Sequence, residues 1–385
     1  MTMSVDINEL LKKTVHMGAS DLHIKTGTAP IVRIHGSLSF MEGEKRLTSE
    51  DTLHIALAVM SSAQQEAFKK KNDIDIAYSV PGLGRFRCNA FVQRGTVGVV
   101  FRVIPMKILE IEQLNLPVVL KKISMEPRGL VLVTGTTGSG KTTSLAAMID
   151  YINSNRTDHV MTIEDPIEFL HRDKSSIVNQ REVGTDTESF SRALRAALRQ
   201  DPDVILVGEM RDFETIQTAL VAAETGHLVL STLHTVDAAE TVNRIISVFP
   251  PYQHKQVRVQ LASVLRAIIS MRLAPRADGK GRVPAVEVLI ATATIKACIE
   301  DPDKTKQISD VIAQGYSQYG MQTFDQSLLS LYRDGLITYE EALRRASNPD
   351  DFVLKVKGIQ STSDLHDGEK FQKDKGEAEI ERFSR

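Results

Sequence analysis

The run Gly135-Thr-Thr-Gly-Ser-Gly-Lys-Thr-Thr143 carries the most specific chemistry in the chain. Glycines at 135, 138 and 140 let the backbone turn back tightly enough for successive N–H groups to face inward, a nest that holds a phosphate chain. Lys141 is placed to charge-pair with β- and γ-phosphates, and the Thr142 hydroxyl to bind Mg²⁺. The ATP-binding residues expected here are Gly135, Thr136, Thr137, Gly138, Ser139, Gly140, Lys141, Thr142 and Thr143. A chance glycine-rich turn would lack the apolar strand before it and the helix after it, and both are present.

Hydrolysis needs more than a phosphate cradle: a cation, a group that positions water, and positive charge beyond the γ-phosphate. Glu209 stands one glycine past the apolar run Val204-Ile-Leu-Val207, where an acidic metal ligand belongs. Gly208 occupies the place of the aspartate that usually precedes it, so Glu209 is expected to hold the metal through water. Glu164 and Glu168, in Glu-Asp-Pro-Ile-Glu, are then the alternatives for activating water, and helix capping is the competing reading of all three acids. His227 and His234 lie seven apart at the edges of one apolar run, beside Thr232 and Thr235. They are read as sensors of the γ-phosphate, against the commoner reading of a core histidine.

The elements that must position these groups follow from residue 130 onward. Leu130–Thr134 reads as a buried strand, and a helix over 141–153 aims its positive dipole end at the same anion. Strands at 160–163, 201–207 and 228–233 alternate with helices, which predicts a parallel sheet covered on both faces. Each of these runs ends in polar residues, and ligands collect at the carboxyl ends of such strands, so the acids and histidines are expected to converge. Beyond Asp237 the pattern predicts helices over 237–248, 252–270, 323–332 and 338–346, with a turn at 278–281 and a strand at 285–290. Residues 129–355 are taken as one domain, and 356–385, charged and poor in apolar anchors, as a disordered tail.

Residues 1–104 read differently, as an α+β domain with strands of alternating polarity. A helix is expected over 6–17, strands over 19–24 and 31–38, and a helix from 48 to 70 with Leu53, Leu57, Met60 and Phe68 inward. Strands at 73–79, 85–93 and 97–104 follow. Asp21 and His23 share a strand face, but two ligands do not make a metal site. Residues 105–128, with Pro105, Pro117 and Pro127, read as a linker. The chain has 385 residues, a net charge of −2 and two distant cysteines, Cys88 and Cys298. These argue against a nucleic-acid partner, a disulfide framework and a cysteine metal site. The first residues lack the pattern of a signal peptide and no apolar run is long enough to span a membrane, so the expected location is cytoplasmic.

Ala19-Ser-Asp-Leu-His23, Arg85-Phe-Arg87, Gly135–Thr142, Thr162–Glu168, Gln180–Val183, Asp201–Asp212, Ala223–His227 and Thr232–Thr235, taken in order, resemble the secretion and type IV pilus ATPases. Within that family the chain is similar to the retraction motors and their accessory relatives, over about residues 4–350. The resemblance implies a PAS-like first domain, a RecA-like P-loop second domain, ATP and Mg²⁺ as cofactors, and a homohexameric ring. It also implies an inner-membrane pilus platform protein as partner, a paralogous retraction ATPase as a further one, and a peripheral seat at the pilus base. First-domain arginines close over the nucleotide in this family, which points to Arg85, Arg87, Arg94 and Arg102; solvated strand faces are the alternative. Three positions depart from the family pattern: Thr136 for a proline, Met271 for a glutamine, and Lys296 for an arginine of a segment associated with retraction. Lysine keeps the charge and loses the planar fork, so retraction is the property this departure bears on. Assembly ATPases usually add an N-terminal domain and often a four-cysteine zinc insertion, which disfavours that reading here. A scaffold that binds ATP without turnover is the third alternative.

Overall fold

Apolar–polar alternation gives way to continuous apolar runs near residue 129, and the two sheets of the protein differ in the same way. The computed structural model describes residues 5–34, 36–105 and 107–358. The chain divides into two units, Met1–Lys107 with Pro166–His171, and Ile108–Asp165 with Arg172–Arg385.

The first unit is built on strands β1 (Asp21–Ile24), β2 (Ile31–Ile34), β3 (Ser37–Phe40), β4 (Asp73–Val80), β5 (Gly84–Gln93) and β6 (Thr96–Val103), in the order β3-β2-β1-β6-β5-β4. Neighbours pair antiparallel, so each strand turns one face to a core and the other away from it. On β5, Phe86, Cys88 and Ala90 are buried while Arg87 on the other face is exposed. Helices α1 (Ile7–His16), α2 (Ser49–Ala58) and α3 (Ser62–Lys71) supply Leu10, Leu11, Ile55 and Phe68 to that core. Two sequence expectations fail here. The strand expected over 31–38 is a hairpin, broken at Gly36, whose φ of 86° an L side chain rarely adopts. The helix expected over 48–70 is two helices, because Ser61 and Gln64 form a second capping box. The first of them buries Thr52, Ile55 and Ala56 and leaves Leu53 exposed.

The second unit holds strands β7 (Gly129–Thr134), β8 (His159–Glu164), β9 (Ile177–Glu182), β10 (Val204–Val207), β11 (Leu228–Leu233), β12 (Leu265–Pro275) and β13 (Arg282–Ile290), ordered β13-β12-β7-β11-β10-β8-β9. Pairing is parallel from β12 to β9, and β13 joins β12 antiparallel. On β7, Val131 and Val133 enter the core lined by α4 (Val119–Ser124) and α5 (Lys141–Asn155). Leu130 and Leu132 enter the opposite core, with α6 (Phe190–Ala197), α7 (Phe213–Glu224), α8 (Ala238–Ser247) and α9 (His254–Val264). Both faces of β7 are therefore dry, and truncating Leu132 to alanine would cost about 2–5 kcal/mol.

Three expectations are corrected in this unit. Residues 108–128 are not a linker: Ile111, Leu116 and Leu120 are buried in the core of Val131 and Val133. The helix expected to reach residue 270 ends at Val264, and Leu265–Pro275 continues as β12. The polar strand β9, at the sheet edge, was not expected at all. The tail expected at 356–385 lies outside the described residues from position 359 on, and a helix, Pro349–Val356, covers its first residue.

Candidate functional site

Strand β7 ends at Thr134, and the chain turns at once into the glycine-rich loop. Gly135 has φ 140°, and a Cβ there would fall 2.5 Å from the Met271 carbonyl oxygen and 2.6 Å from Ser139 Oγ, so no side chain fits. Gly140, at φ 98°, precedes α5 without a side-chain cap, which leaves the first-turn N–H groups of a fifteen-residue helix directed at the loop. Lys141 Nζ donates to the carbonyls of Gly135 at 2.8 Å and Thr136 at 3.1 Å, so its charge sits inside the turn. Ser139 Oγ is buried and has no hydrogen-bond partner among the described residues. A phosphate oxygen is the acceptor such a hydroxyl requires, and the loop therefore fits a nucleotide phosphate chain. Thr136, Thr137 and Gly138 are exposed at the loop tip, and Thr142 and Thr143 are half-buried on the first turn of α5.

Parallel pairing brings the carboxyl ends of β8, β10 and β11 to the same edge as this loop. Glu164, the last residue of β8, is buried and accepts hydrogen bonds from Thr162 Oγ1 at 2.6 Å and Gln180 Nε2 at 3.1 Å. Gly208 follows β10 and donates its N–H to the Ile163 carbonyl at 2.8 Å. A Cβ at Gly208 would lie 3.1 Å from that oxygen, so the missing aspartate reflects the close approach of β10 to β8. Glu209 then turns toward β11, where its Oε2 stands 3.7 Å from His234 Nε2 and 2.7 Å from Arg211 Nε. Burial holds the His234 imidazole below its ordinary proton affinity, and the charges of Lys141 and Arg211 add to this against Glu209. The uncharged imidazole is the form this arrangement favours. Lys141, Glu209 and His234 thus share one electrostatic site.

Not every expected residue joins it. His227 precedes β11, and the six strand residues between it and His234 put it about 20 Å away, at the other end of the sheet. There its Nδ1 lies 2.9 Å from the Ala222 carbonyl at the end of α7, so the assignment of His227 to ATP binding within its own cradle is corrected. Seven residues apart along a strand means opposite ends, not one edge. Glu168 is exposed in Pro166–His171, a segment that belongs to the first unit. Sequence reasoning gave no role to Arg211, which contacts Glu209, or to Met271, whose carbonyl and side chain underlie the loop. The signal for Arg211 is its place two residues after Glu209.

In the first unit, Arg87 on β5 lies opposite Arg102 on β6, and Arg102 opposite Asp21 on β1. Arg102 Nε donates to Asp21 Oδ1 at 2.9 Å, and Arg87 Nε stands 3.6 Å from Asp75 Oδ1. Burial pushes the Asp21 carboxyl up, but hydrogen bonds from Arg102 and Ser20 outweigh it and hold Asp21 below the usual carboxylate range. Arg102 therefore has a local partner, and Asp21 is committed to it. Arg85 is half-buried on the same strand face as Arg87, and Arg94 sits at the β5–β6 turn with φ 47°.

Among known proteins, the family of type II/IV secretion system proteins matches residues 2–344. The type IV pilus retraction ATPase PilT of Pseudomonas aeruginosa is 47% identical over 348 residues, 90% of this chain and 100% of that protein. The type IV pilus ATPase PilU of the same organism is 44% identical, with 94% of each chain covered. The crystal structure of the pilus retraction motor PilT with bound ADP superposes with a TM-score of 0.83 at 48% identity, covering 90% of this chain and 98% of that one. The ATPase DotB of Legionella pneumophila gives 0.75 at 27% identity, over 92% and 96%. Matched across nearly its whole described length, the chain belongs to the type II/IV secretion system protein family.

Proposed function

We propose that this protein hydrolyses ATP with Mg²⁺ and uses the cycle to drive retraction of a type IV pilus, as a motor of the PilT kind. The observation that carries the reading is the meeting of Lys141, Glu209 and His234 where β7, β10 and β11 end. Lys141, the loop N–H groups and the Ser139 hydroxyl bind the β- and γ-phosphates. Thr142 and Glu209 are the residues that would hold Mg²⁺, which when bound supplies charge to offset that developing on the phosphates. Glu164 orients the attacking water, with Glu168, on the segment that belongs to the first unit, as the alternative, and His234 presents a hydrogen bond at the γ-phosphate.

The same reading makes the first unit PAS-like and the second RecA-like, supported by the antiparallel sheet of the one and the strand–loop–helix of the other. It places the chain in a homohexamer in which Arg85, Arg87, Arg94 and Arg102 serve the phosphates of the assembled ring, supported by the strand face that Arg85, Arg87 and Arg102 share. The partners are a pilus platform protein of the inner membrane and, beyond it, a paralogous ATPase; nucleic acid is not one. Its seat is peripheral at the cytoplasmic side of the pilus base. No helix of the described residues is long and apolar enough to cross a membrane.

Deleting the gene tests the reading: surface motility should fall while pili remain on the cell. Loss of pili would instead mark an assembly ATPase. The similarity to PilU across 94% of each chain, together with Lys296, favours an accessory motor as the second reading. That role is indicated if deletion spares motility except under load.

A further inference from the structure

One register row crosses three strands of the second unit and carries polar side chains where its neighbours are apolar. Thr134 on β7 lies beside Ser270 on β12, and Ser270 beside Glu287 on β13. All three are buried. Thr134 Oγ1 donates to Ser270 Oγ at 3.1 Å, Ser270 stands directly opposite Glu287 in the β12–β13 pair, and Glu287 Oε1 accepts the Ala238 N–H at 2.9 Å. The two ends of this row are the residue before Gly135 and the first residue of α8, four positions past His234. The segment between His234 and α8 is itself fastened to the helix, since Thr235 Oγ1 and Thr241 Oγ1 lie 2.6 Å apart and the Val236 N–H donates to Glu240. A row of buried polar groups holds its geometry because each group left unpartnered would carry a desolvation penalty.

We propose that Glu287 is a positioning residue for hydrolysis, which fixes the phosphate loop and the His234 segment relative to each other through Ser270 and Thr134. A carboxylate at the start of α8 also complements the helix dipole, so the link is electrostatic as well as geometric. Burial pushes the Glu287 carboxyl up to about 7, and Asp237 adds to this, while Ala238, Ser270 and Arg272 oppose it. Arg272, on β12, is in turn faced by Asp325 and stacks 3.8 Å from the Phe324 ring.

The inference rests on the ATPase reading above, and wild-type turnover measured in the same assay lets the two fail separately. Full-length wild type, Glu287→Ala, Glu287→Gln and Ser270→Ala are compared by steady-state hydrolysis and by amide exchange. Glu287→Ala should lower kcat about tenfold with KM within about twofold, the effect of losing a charged hydrogen bond that acts on geometry and not on affinity. Glu287→Gln, whose amide oxygen still accepts from Ala238, should recover most of that loss. Exchange should accelerate in Glu287→Ala at both 130–140 and 234–242. Where Glu287→Ala folds poorly, Ser270→Ala breaks the row and leaves the helix contact, and the same selective fall in kcat is expected. Wild-type kcat in folded Glu287→Ala or Ser270→Ala, or exchange that accelerates at 282–290 alone, would overturn the proposal.

Discussion

His234 and His227 bracket the six residues of β11, one at its carboxyl end and one at its amino end, and their surroundings differ in kind. At the amino end the chain arrives from α7, so helix carbonyls need donors: Ala222 O receives the His227 N–H at 3.2 Å and its Nδ1 at 2.9 Å. The His227 carbonyl in turn accepts the Gly129 N–H, and nearby His159 is bonded to Asp201 and Asn179. Polar groups there close off backbone. At the carboxyl end the strands run into helix N-termini, where N–H groups and positive dipole ends are in excess. Glu209 and His234 stand 3.7 Å apart in the field of Lys141, and the Ser139 hydroxyl waits for an acceptor. In a parallel sheet the direction of the chain thus sorts identical residue types into caps at one edge and reagents at the other.

The largest effects should separate these two ends. Lys141→Ala and Glu209→Ala should each lower turnover about 10²–10³-fold, as losing one preorganised charge at a transition state does. Lys141→Ala should also weaken binding of a fluorescent nucleotide, and Glu209→Ala should leave it nearly intact. Wild-type hydrolysis by Glu209→Ala would remove the basis of the assignment.

A smaller and more direct contrast lies between the histidines themselves. His234→Ala should cost turnover about 10–100-fold, the range of a lost group in contact with the reacting centre. His227→Ala should leave turnover within about twofold and instead lower unfolding stability by about 1 kcal/mol, one helix-capping hydrogen bond. Equal losses of activity in the two variants would erase the distinction between the sheet ends.

Stability against pH gives a third contrast. The Glu287 carboxyl moves from 4.5 to about 7 on folding, so the folded state binds the proton more tightly. The stability this contributes is full below about 4.5 and is lost as pH rises through about 7. His234, with its folded affinity lowered, acts in the opposite sense and loses stability as pH falls through the ordinary histidine range. Thermal unfolding of wild type should therefore decline relative to Glu287→Gln between pH 5 and pH 7.5; parallel curves would mean that Glu287 does not titrate there. The smallest effect on turnover is expected from Met271→Gln. Met271 is buried beneath the loop, with its sulfur 3.2 Å from Ser144 Oγ, and glutamine matches its length and can take that hydroxyl. Turnover should stay within about twofold, while stability should fall by about 1–3 kcal/mol, because the amide N–H groups enter a buried site that now holds a thioether. A larger loss of turnover would show that the sulfur contact tunes the loop.

Much of the arrangement was readable because parallel strands announce themselves as apolar runs with polar ends. β7, β8, β10 and β11 have that form, and it places Glu164, Glu209 and His234 near the loop without any reference to contacts. The errors have equally physical origins. His227 was misplaced because two histidines flanking one apolar run were read as a pair, whereas the six extended residues between them set them at opposite ends of β11. Leu265–Ser270 fits a continued helix because a short apolar run satisfies either period, and β12 was lost with it. β9 was missed since an edge strand needs no apolar face. Gly208 looked like a missing ligand, whereas a Cβ there would crowd the Ile163 carbonyl at 3.1 Å.

The burial of Ile111, Leu116 and Leu120 beside Val131 and Val133 bears on how the second unit is handled as a fragment. Cutting the gene at Gly129, where the nucleotide motif suggests a domain begins, would strip four buried apolar plugs, these three and Ile123, from a groove floored by β7 and walled by α5. Such a piece would clump through that groove, and on a sizing column the clumps would pass for assembly of the motor. A piece starting at Ile108 carries its own plugs.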